Sequence, residues 1–274
     1  MVRKAAIPLA VAFSAGLTAA ATIDKRIYLG EEAKEGEIPF IVRLHYENPA
    51  ILCGGSLLDS TTVLTAAHCQ PNRVTSVRAG SLNKDSGGVV AEVESVVVHP
   101  EYKNTIVEVN NDIAIIKLST PIQQSEIISY AELPARDSSP EINSIAVAAG
   151  CLKLPDILSQ DANQYARGVT GPLNKGDASD KLLKVAMPIR DIDSDFCTVG
   201  PAVQLPDTKV CAGDGRGDTG KGDSGGPLID QETGQLIGIV SIGPRYTKVS
   251  SYIPFINDII NNGINGVDPR RVTG

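Results

Sequence analysis

One motif, Gly-Asp-Ser-Gly-Gly-Pro at residues 222–227, constrains the fold of this chain more than any other segment. Its serine, Ser224, fits the Gly-x-Ser-x-Gly pattern of the nucleophile elbow in α/β-hydrolases, in which the catalytic histidine follows the serine along the chain. Here all three histidines, His45, His68 and His99, precede Ser224. A serine in such an elbow would have no base, so the sequence argues against an α/β-hydrolase or a lipase of that type.

The reverse order of catalytic residues is present in full. A Thr-Ala-Ala-His-Cys motif contains His68, an Asn-Asp-Ile-Ala motif contains Asp112, and Ser224 follows both. These three motifs, in this order, resemble those of the chymotrypsin/trypsin family of serine proteases, and the resemblance extends from Ile27 to about residue 262. A basic pair before Ile27 and the sparse cysteines also fit a fungal extracellular protease.

The strand signals favour an all-β fold. Short β-rich segments alternate with turns and are not interleaved with helical periodicity, which is typical of antiparallel barrels. These segments are residues 40–44, 56–58, 62–64, 93–98, 113–118, 145–149, 182–187 and 236–241. The resemblance implies two packed antiparallel six-stranded β-barrels, at about 27–133 and 134–250, within a protease domain at 27–266. Isoleucines at helical spacing before Gly263 predict a C-terminal helix at about 251–262.

The resemblance assigns a catalytic role to each motif. Ser224 would attack the peptide carbonyl, and His68 would accept its proton and pass it to the leaving amine. Asp112 would orient the imidazole and offset its charge. Backbone N–H groups of Gly222 and Ser224 would form the oxyanion hole. We interpret the other two histidines as structural.

The substrate pocket of the family is matched only in part. Asp218, six residues before Ser224, matches a pocket-floor carboxylate that would select arginine or lysine side chains. Ser241 and Gly243 match the strand that pairs with the substrate backbone. The loop after Gly243 is much shorter than in relatives, and Arg245 falls near a position where relatives keep a pocket-lining glycine.

These departures leave two alternatives beside an endopeptidase that cleaves after arginine or lysine. One is a serine protease with a non-basic primary specificity, in which Arg245 pairs with Asp218. The other is a protease-like binding or inhibitor protein without turnover. Such proteins usually lose a triad residue, and none is lost here.

The N-terminus predicts secretion as an inactive precursor. A charged start, an apolar run and a small-residue cleavage site predict a signal peptide at residues 1–21, followed by a propeptide at 22–26. The resemblance implies that cleavage after Arg26 frees the ammonium group of Ile27. That group would pair with the carboxylate of Asp223 and set the oxyanion loop. Residues 267–274 are expected to form a disordered tail.

Five cysteines in a secreted chain predict disulfides and one leftover residue. The resemblance implies the pairs Cys53–Cys69 and Cys197–Cys211. Cys151 then remains, either as a buried thiol or in an intermolecular bridge. The residues that follow it, about 153–180, are predicted to form a long surface loop.

The acidic composition limits the partners. The net charge of the chain is −7, and removing residues 1–26 takes away four basic residues and one acidic residue, which leaves −10. This charge argues against nucleic acid or an anionic membrane as the main partner. We expect a secreted monomer that acts on proteins or peptides, is open to protein protease inhibitors and needs no cofactor. Ser81 and Gly88 stand where vertebrate trypsins carry calcium-binding glutamates, so we expect no metal.

Overall fold

The computed structural model describes residues 31–105, 109–150, 180–198, 206–214, 219–220 and 222–263. Its helix, α1, spans Ile253–Asn262. The strands within these ranges are β1 Glu31–Glu32, β2 Ile41–Tyr46, β3 Cys53–Asp59, β4 Thr62–Thr65, β5 Val74–Ala79, β6 Val89–Val98, β7 Lys103–Asn104, β8 Val109–Asn110, β9 Ala114–Leu118, β10 Ile145–Gly150, β11 Leu183–Arg190, β12 Lys209–Ala212, β13 Pro227–Asp230, β14 Leu236–Ile242 and β15 Arg245–Lys248. The signal peptide, the propeptide, the tail and nearly all of the predicted surface loop lie outside the described residues.

The first barrel is a closed ring of six antiparallel strands in the order β2-β3-β4-β9-β6-β5. Alternation of side chains along β2 shows why it closes around a core. Val42, Leu44 and Tyr46 are buried, while the residues between them are only partly so. This period of two places one face of the strand inside the barrel.

The second barrel is formed by β10 to β15. These strands pair in the order β11-β10-β13-β14-β15-β12, and an additional pairing between β11 and β12 closes the ring. Its core includes Met187 and Tyr246, whose hydroxyl lies 3.1 Å from the Met187 sulfur. The two barrels confirm the predicted fold class. Strand β1 joins the outer edge of β11, so residues 31 and 32 pair with the second barrel.

The C-terminal helix packs its apolar face into the core. Phe255, Ile256 and Ile259 are buried, and Phe255 lies against the ring of His99, with 4.9 Å between the ring centroids. The helix ends at Gly263, whose positive φ of 69° is readily adopted by glycine. This helix was predicted from its isoleucine spacing. Among the described residues, no helix is long and apolar enough to span a membrane.

Both expected disulfides are present. Cys53 pairs with Cys69 and Cys197 with Cys211, and each pair has a Cα–Cα distance of 6.1 Å, which is usual for a disulfide. The first links β3 to the turn that contains His68. Cys151 lies outside the described residues.

Candidate active site

His68 lies in a short 3-10 turn, Ala67–Cys69, directly after β4. Two contacts hold this turn in place. Cys69 forms the disulfide to Cys53, and the hydroxyl of Tyr46 donates a 2.8 Å hydrogen bond to the carbonyl of Cys69. The side chain of His68 is 19% exposed, so the ring is positioned by the protein and still open to a ligand.

Asp112 lies just before β9 and is completely buried. One carboxylate oxygen accepts a 2.8 Å hydrogen bond from the backbone N–H of His68, and the other lies 2.8 Å from the Nδ1 atom of the same ring. Two bonds between one pair of residues fix both the position and the rotation of the imidazole. With Nδ1–H donating to the carboxylate, the Nε2 atom is the basic nitrogen.

The second barrel also holds Asp112. The hydroxyl of Ser241 donates to its carboxylate at 2.5 Å, and the hydroxyl of Thr247 donates to its backbone carbonyl at 3.0 Å. A register shift in the pairing of β14 with β15, between Val240 and Ile242, brackets Ser241. Such bulges redirect side chains. From the sequence, Ser241 was predicted only as part of the substrate strand and Thr247 was not predicted at all, because no local motif marks a contact between residues this far apart.

These contacts determine the charge of Asp112. Burial by itself would raise its pKa, but hydrogen bonds from His68 and Ser241, together with the charge of the His68 ring, outweigh burial and lower the pKa. The carboxylate is therefore ionised at neutral pH. It can stabilise a positive charge that develops on the imidazole.

Ser224 lies in a turn that forms backbone hydrogen bonds with both barrels. Its carbonyl accepts a 2.8 Å hydrogen bond from the N–H of Gly54 in β3. The next residue, Gly225, donates to Val240 in β14 at 2.9 Å. A Cβ on Gly225 would lie 2.3 Å from the Thr65 hydroxyl and 3.1 Å from the Cys69 sulfur. Only glycine allows this approach, which brings the serine turn against the histidine turn.

Asp223, next to that serine, is completely buried beside Gly150 and Gly222. One carboxylate oxygen accepts a 2.7 Å hydrogen bond from the N–H of Gly220. The other has no hydrogen-bond partner among the described residues. Burial raises the pKa of Asp223 to about 7, and the bond from Gly220 offsets this only in part. Gly222 has a φ of 111°, a conformation that favours glycine.

The strand proposed to pair with substrate ends in a tight hairpin. Ser241 is buried, Ile242 is 45% exposed, and a two-residue turn, Gly243–Pro244, leads directly into β15. Gly243 has a φ of 57°, as the first position of such turns requires. Arg245 is half-buried and lies opposite Ile242. The predicted site residues Arg26, Ile27 and Asp218 lie outside the described residues.

One group of potential metal ligands occurs in the described part of the chain. The ligand atoms of Cys53, His68 and Cys69 lie within 4.8 Å of one another. The two sulfurs are joined in a disulfide. This group therefore offers no thiolate, the form of cysteine that binds metals.

Known proteins match most of the chain. A protein-family model described as Trypsin matches residues 27–260. CLIP domain-containing serine protease B4 of Anopheles gambiae is 32% identical over 86% of this chain and 70% of its own length. A venom protease of Bombus pensylvanicus is 34% identical over 82% of this chain and 95% of its own length. Venom serine protease Bi-VSP of Bombus ignitus is 33% identical over 83% of this chain and 66% of its own length.

Proposed function

The chain belongs to the trypsin family of serine endopeptidases, and on this premise we propose that His68, Asp112 and Ser224 form its catalytic triad. One observation carries the proposal. The buried carboxylate of Asp112 binds both the backbone N–H and the ring Nδ1 of His68, which directs Nε2 away from the carboxylate. This is the arrangement that a general base requires.

The reaction proceeds through an acyl-enzyme. The Ser224 oxygen attacks the peptide carbonyl while His68 takes the hydroxyl proton, and the negative charge on the carbonyl oxygen is stabilised by the N–H groups of Gly222 and Ser224. His68 then gives the proton to the leaving amine as the C–N bond breaks. A water molecule, activated by the same ring, hydrolyses the ester and regenerates the serine.

The enzyme is made as a zymogen that is cleaved after Arg26. One oxygen of Asp223 has no hydrogen-bond partner in the described part of the chain, and this supports the step because a buried carboxylate is stabilised by a cation. Geometry supports it as well. Glu32 lies opposite Leu183 in β11, Leu183 lies opposite Gly150 in β10, and a Cβ on Gly150 would lie 2.2 Å from the Asp223 carboxylate. Two strand spacings, from Glu32 to Gly150, amount to about 10 Å. Five extended residues reach about 16 Å, so the segment from Ile27 to Glu32 is long enough for Ile27 to reach Asp223.

The proposed substrates are extracellular proteins or peptides cleaved after arginine or lysine, which Asp218 would select. The enzyme is secreted, acts as a monomer and is subject to protein inhibitors. The two disulfides support an extracellular location. The short Gly243–Pro244 hairpin favours one competing specificity, for non-basic residues, because the loop that follows the substrate strand has only two residues.

The test is activity-based labelling of the processed chain combined with a peptide library. We expect a fluorophosphonate to label Ser224, and we expect the library to be cut after arginine or lysine. Ser224→Ala removes only the nucleophile and should abolish both labelling and turnover while the thermal unfolding transition is retained. Asp218→Ser should remove the basic preference.

Three outcomes would contradict parts of this proposal. Cleavage by Ser224→Ala at the wild-type rate would exclude the triad. Cleavage after other residues, unchanged in Asp218→Ser, would exclude the basic specificity. No labelling of the processed, folded chain would favour a binding protein without turnover.

A further inference from the structure

A cleft with positively charged walls lies beside the Ser224 turn. The cleft is partly open to solvent, and its enclosed space is small. Its lining includes Gly54 and Gly222, which belong to or contact the Ser224 turn, and three cationic residues, Arg43, Arg78 and Lys84. We call it the basic cleft. Such a concentration of positive charge stands out in a chain whose net charge is −7.

Two of these cations are neighbours on adjacent strands of the first barrel. Arg43 in β2 and Arg78 in β5 are directly opposed in the strand register. Each alternates with buried residues, Val42 and Leu44 beside Arg43, so both side chains lie on the outer face. Like charges directly opposite each other destabilise a sheet. An anion bound between these two side chains would reduce the repulsion between them.

The charge of Arg78 is not neutralised locally. Its Nε atom donates to the ring of His45 at 3.3 Å, and one terminal nitrogen donates to the carbonyl of Gly87. Both acceptors are uncharged groups, since burial and then the charges of Arg78 and Arg43 lower the pKa of His45. Among the described residues, Arg78 forms no ion pair. These two bonds orient the guanidinium, and its remaining N–H groups can bind a carboxylate.

The third cation is also accessible. Lys84 pairs with Asp180 at 2.5 Å, but the side chain of Asp180 is 81% exposed. Exposed ion pairs contribute little free energy, so a substrate carboxylate can compete for Lys84. Asp85 is a further acidic group near the basic cleft, and its charge acts to raise the pKa values of both His45 and Lys84.

The basic cleft lies on one particular side of the Ser224 turn. Gly225 and Gly226 in this turn bond to Val240 of β14, whereas the carbonyl of Ser224 bonds to Gly54 of β3. The turn therefore separates β14 from the basic cleft. In the proposed function, substrate residues before the cleaved bond pair with residues 241–243, at the C-terminal end of β14. Residues after the cleaved bond must then leave on the side of Gly54.

We propose that the basic cleft binds acidic side chains of substrate residues that follow the cleaved bond, and that Arg43 and Arg78 determine this preference. The proposal rests on the proposed function, because it needs a substrate chain that crosses Ser224 in this direction. It adds a second element of specificity, separate from the pocket that contains Asp218.

Two fluorogenic peptides test the proposal. Both carry, before the cleaved bond, the residue that the library selects. One has aspartate and glutamate at the second and third positions after that bond, and the other has asparagine and glutamine. We expect kcat/KM for the acidic peptide to be higher by about threefold or more, which corresponds to about 0.7 kcal/mol and is typical of a partly exposed charge pair. A smaller ratio in the wild-type enzyme overturns the proposal.

Substitutions of single arginines test which residues cause the preference for the acidic peptide. Arg78→Gln and, separately, Arg43→Gln should each lower the ratio of the two kcat/KM values toward one. The matched control Arg136→Gln removes an exposed arginine that pairs with Asp137 and lies outside the basic cleft, and it should keep the wild-type ratio. Equal ratios in wild type, Arg78→Gln and Arg43→Gln would assign the preference to other residues and overturn the proposal.

A chromogenic substrate that ends at the cleaved bond distinguishes a failure of the basic-cleft proposal from a failure of the proposed function. If the wild-type enzyme cleaves this substrate and is labelled by fluorophosphonate but does not distinguish the two peptides, only the basic-cleft proposal fails. If the folded, processed enzyme neither cleaves it nor is labelled, the proposed function fails, and the basic-cleft proposal fails with it.

Discussion

At the scale of single residues, Asp112 is the point at which the two barrels share one hydrogen-bond network. His68 belongs to the first barrel, and Ser241 and Thr247 belong to the second. A carboxylate with no exposed surface needs such donors, because an unsatisfied buried charge costs several kcal/mol. The position of the histidine ring thus depends on the packing of the barrels against each other.

Replacing Ser241 by alanine tests this dependence. The variant loses one donor to a buried charge, so we expect the free energy of unfolding at pH 7 to fall by about 1–3 kcal/mol. We also expect kcat to fall by about tenfold, because the carboxylate that orients His68 gains freedom. Urea unfolding and steady-state kinetics measure the two effects.

Ser250→Ala is the matched control for that variant. Ser250 is also buried and donates a 2.6 Å hydrogen bond, but its acceptor is the neutral carbonyl of Ser138. Its loss should reduce stability by about 1 kcal/mol and leave kcat unchanged. If both variants showed the same kcat, the Ser241 hydroxyl would have no positioning role.

At this scale, a functional residue can be predicted from the sequence when the residues next to it in the chain form a recognisable motif. The motifs around His68, Asp112 and Ser224 can be found because their flanking glycines, alanines and cysteine are part of the same local requirement. The contact of Ser241 with Asp112 joins residues 129 positions apart and depends on a bulge in β14. No pattern within either segment carries that information.

At the scale of elements, the strands with the longest β-rich apolar segments were predicted, whereas β5, β12, β13 and β15 were not. The predicted segments correspond to β2, β3, β4, β6, β9, β10, β11 and β14. Strand β15, with the sequence Arg-Tyr-Thr-Lys, was missed, although Tyr246, Thr247 and Lys248 are all buried. Its burial results from pairing with β12 and β14 and from contact with Asp112, so tertiary structure overrides its local composition.

The helix α1 makes a pH-dependent contact with the first barrel. His99 is buried against Tyr252 and Phe255, and its Nδ1 accepts a hydrogen bond from the N–H of Glu101. Its Nε2 has no acceptor among the described residues. Burial lowers the pKa of His99 below the usual 6.5, and Glu101 only partly opposes this. The folded protein therefore favours the neutral form of the His99 ring.

We expect His99 to make the folded protein sensitive to acid. Its folded-state pKa lies below that of the unfolded chain, so its contribution to stability is present above pH 6.5 and is lost as the pH falls below that value. His99→Asn keeps an acceptor near the position of Nδ1 but does not titrate. The variant should be less stable at pH 8, where it leaves a cavity, and should lose less stability than wild type between pH 7 and 5.

Urea unfolding of both proteins across that pH range measures the difference. Parallel curves for wild type and His99→Asn would show that the contact between α1 and the first barrel does not depend on the charge of His99.

At the scale of the whole molecule, the first described strand, β1, pairs with the second barrel, although it precedes the strands of the first barrel in the sequence. Strand β1 pairs with β11, and the N–H of Ala33 donates to the carbonyl of Leu182 at 3.0 Å. Glu31 and Glu32 are therefore held beside β11, and β11 pairs with β10, whose Gly150 lies against Asp223. The barrel boundaries predicted from sequence order assigned this segment to the first barrel, because pairing between distant strands leaves no local signal.

Processing at Arg26 should reverse the effect of pH on Asp223. In the uncut chain the pKa of this residue is about 7, against 3.8 for the ordinary carboxyl, so its contribution to stability is complete below pH 3.8 and is lost as the pH rises through 7. After processing, pairing with the Ile27 ammonium would lower the pKa, and the contribution would instead be lost as the pH falls.

Asp223→Asn should accordingly have opposite effects in the two forms, measured in a Ser224→Ala background that prevents self-cleavage. In the uncut form, held by Arg26→Gln, it should stabilise the protein at pH 8 by up to about 4 kcal/mol relative to pH 4, because it removes a buried charge. In the processed form the same substitution leaves the buried ammonium without its partner, and it should destabilise at pH 8. Glu141→Gln removes an exposed charge and should change neither form. If Asp223→Asn had the same sign of effect before and after processing, Ile27 would not be the cation that Asp223 binds.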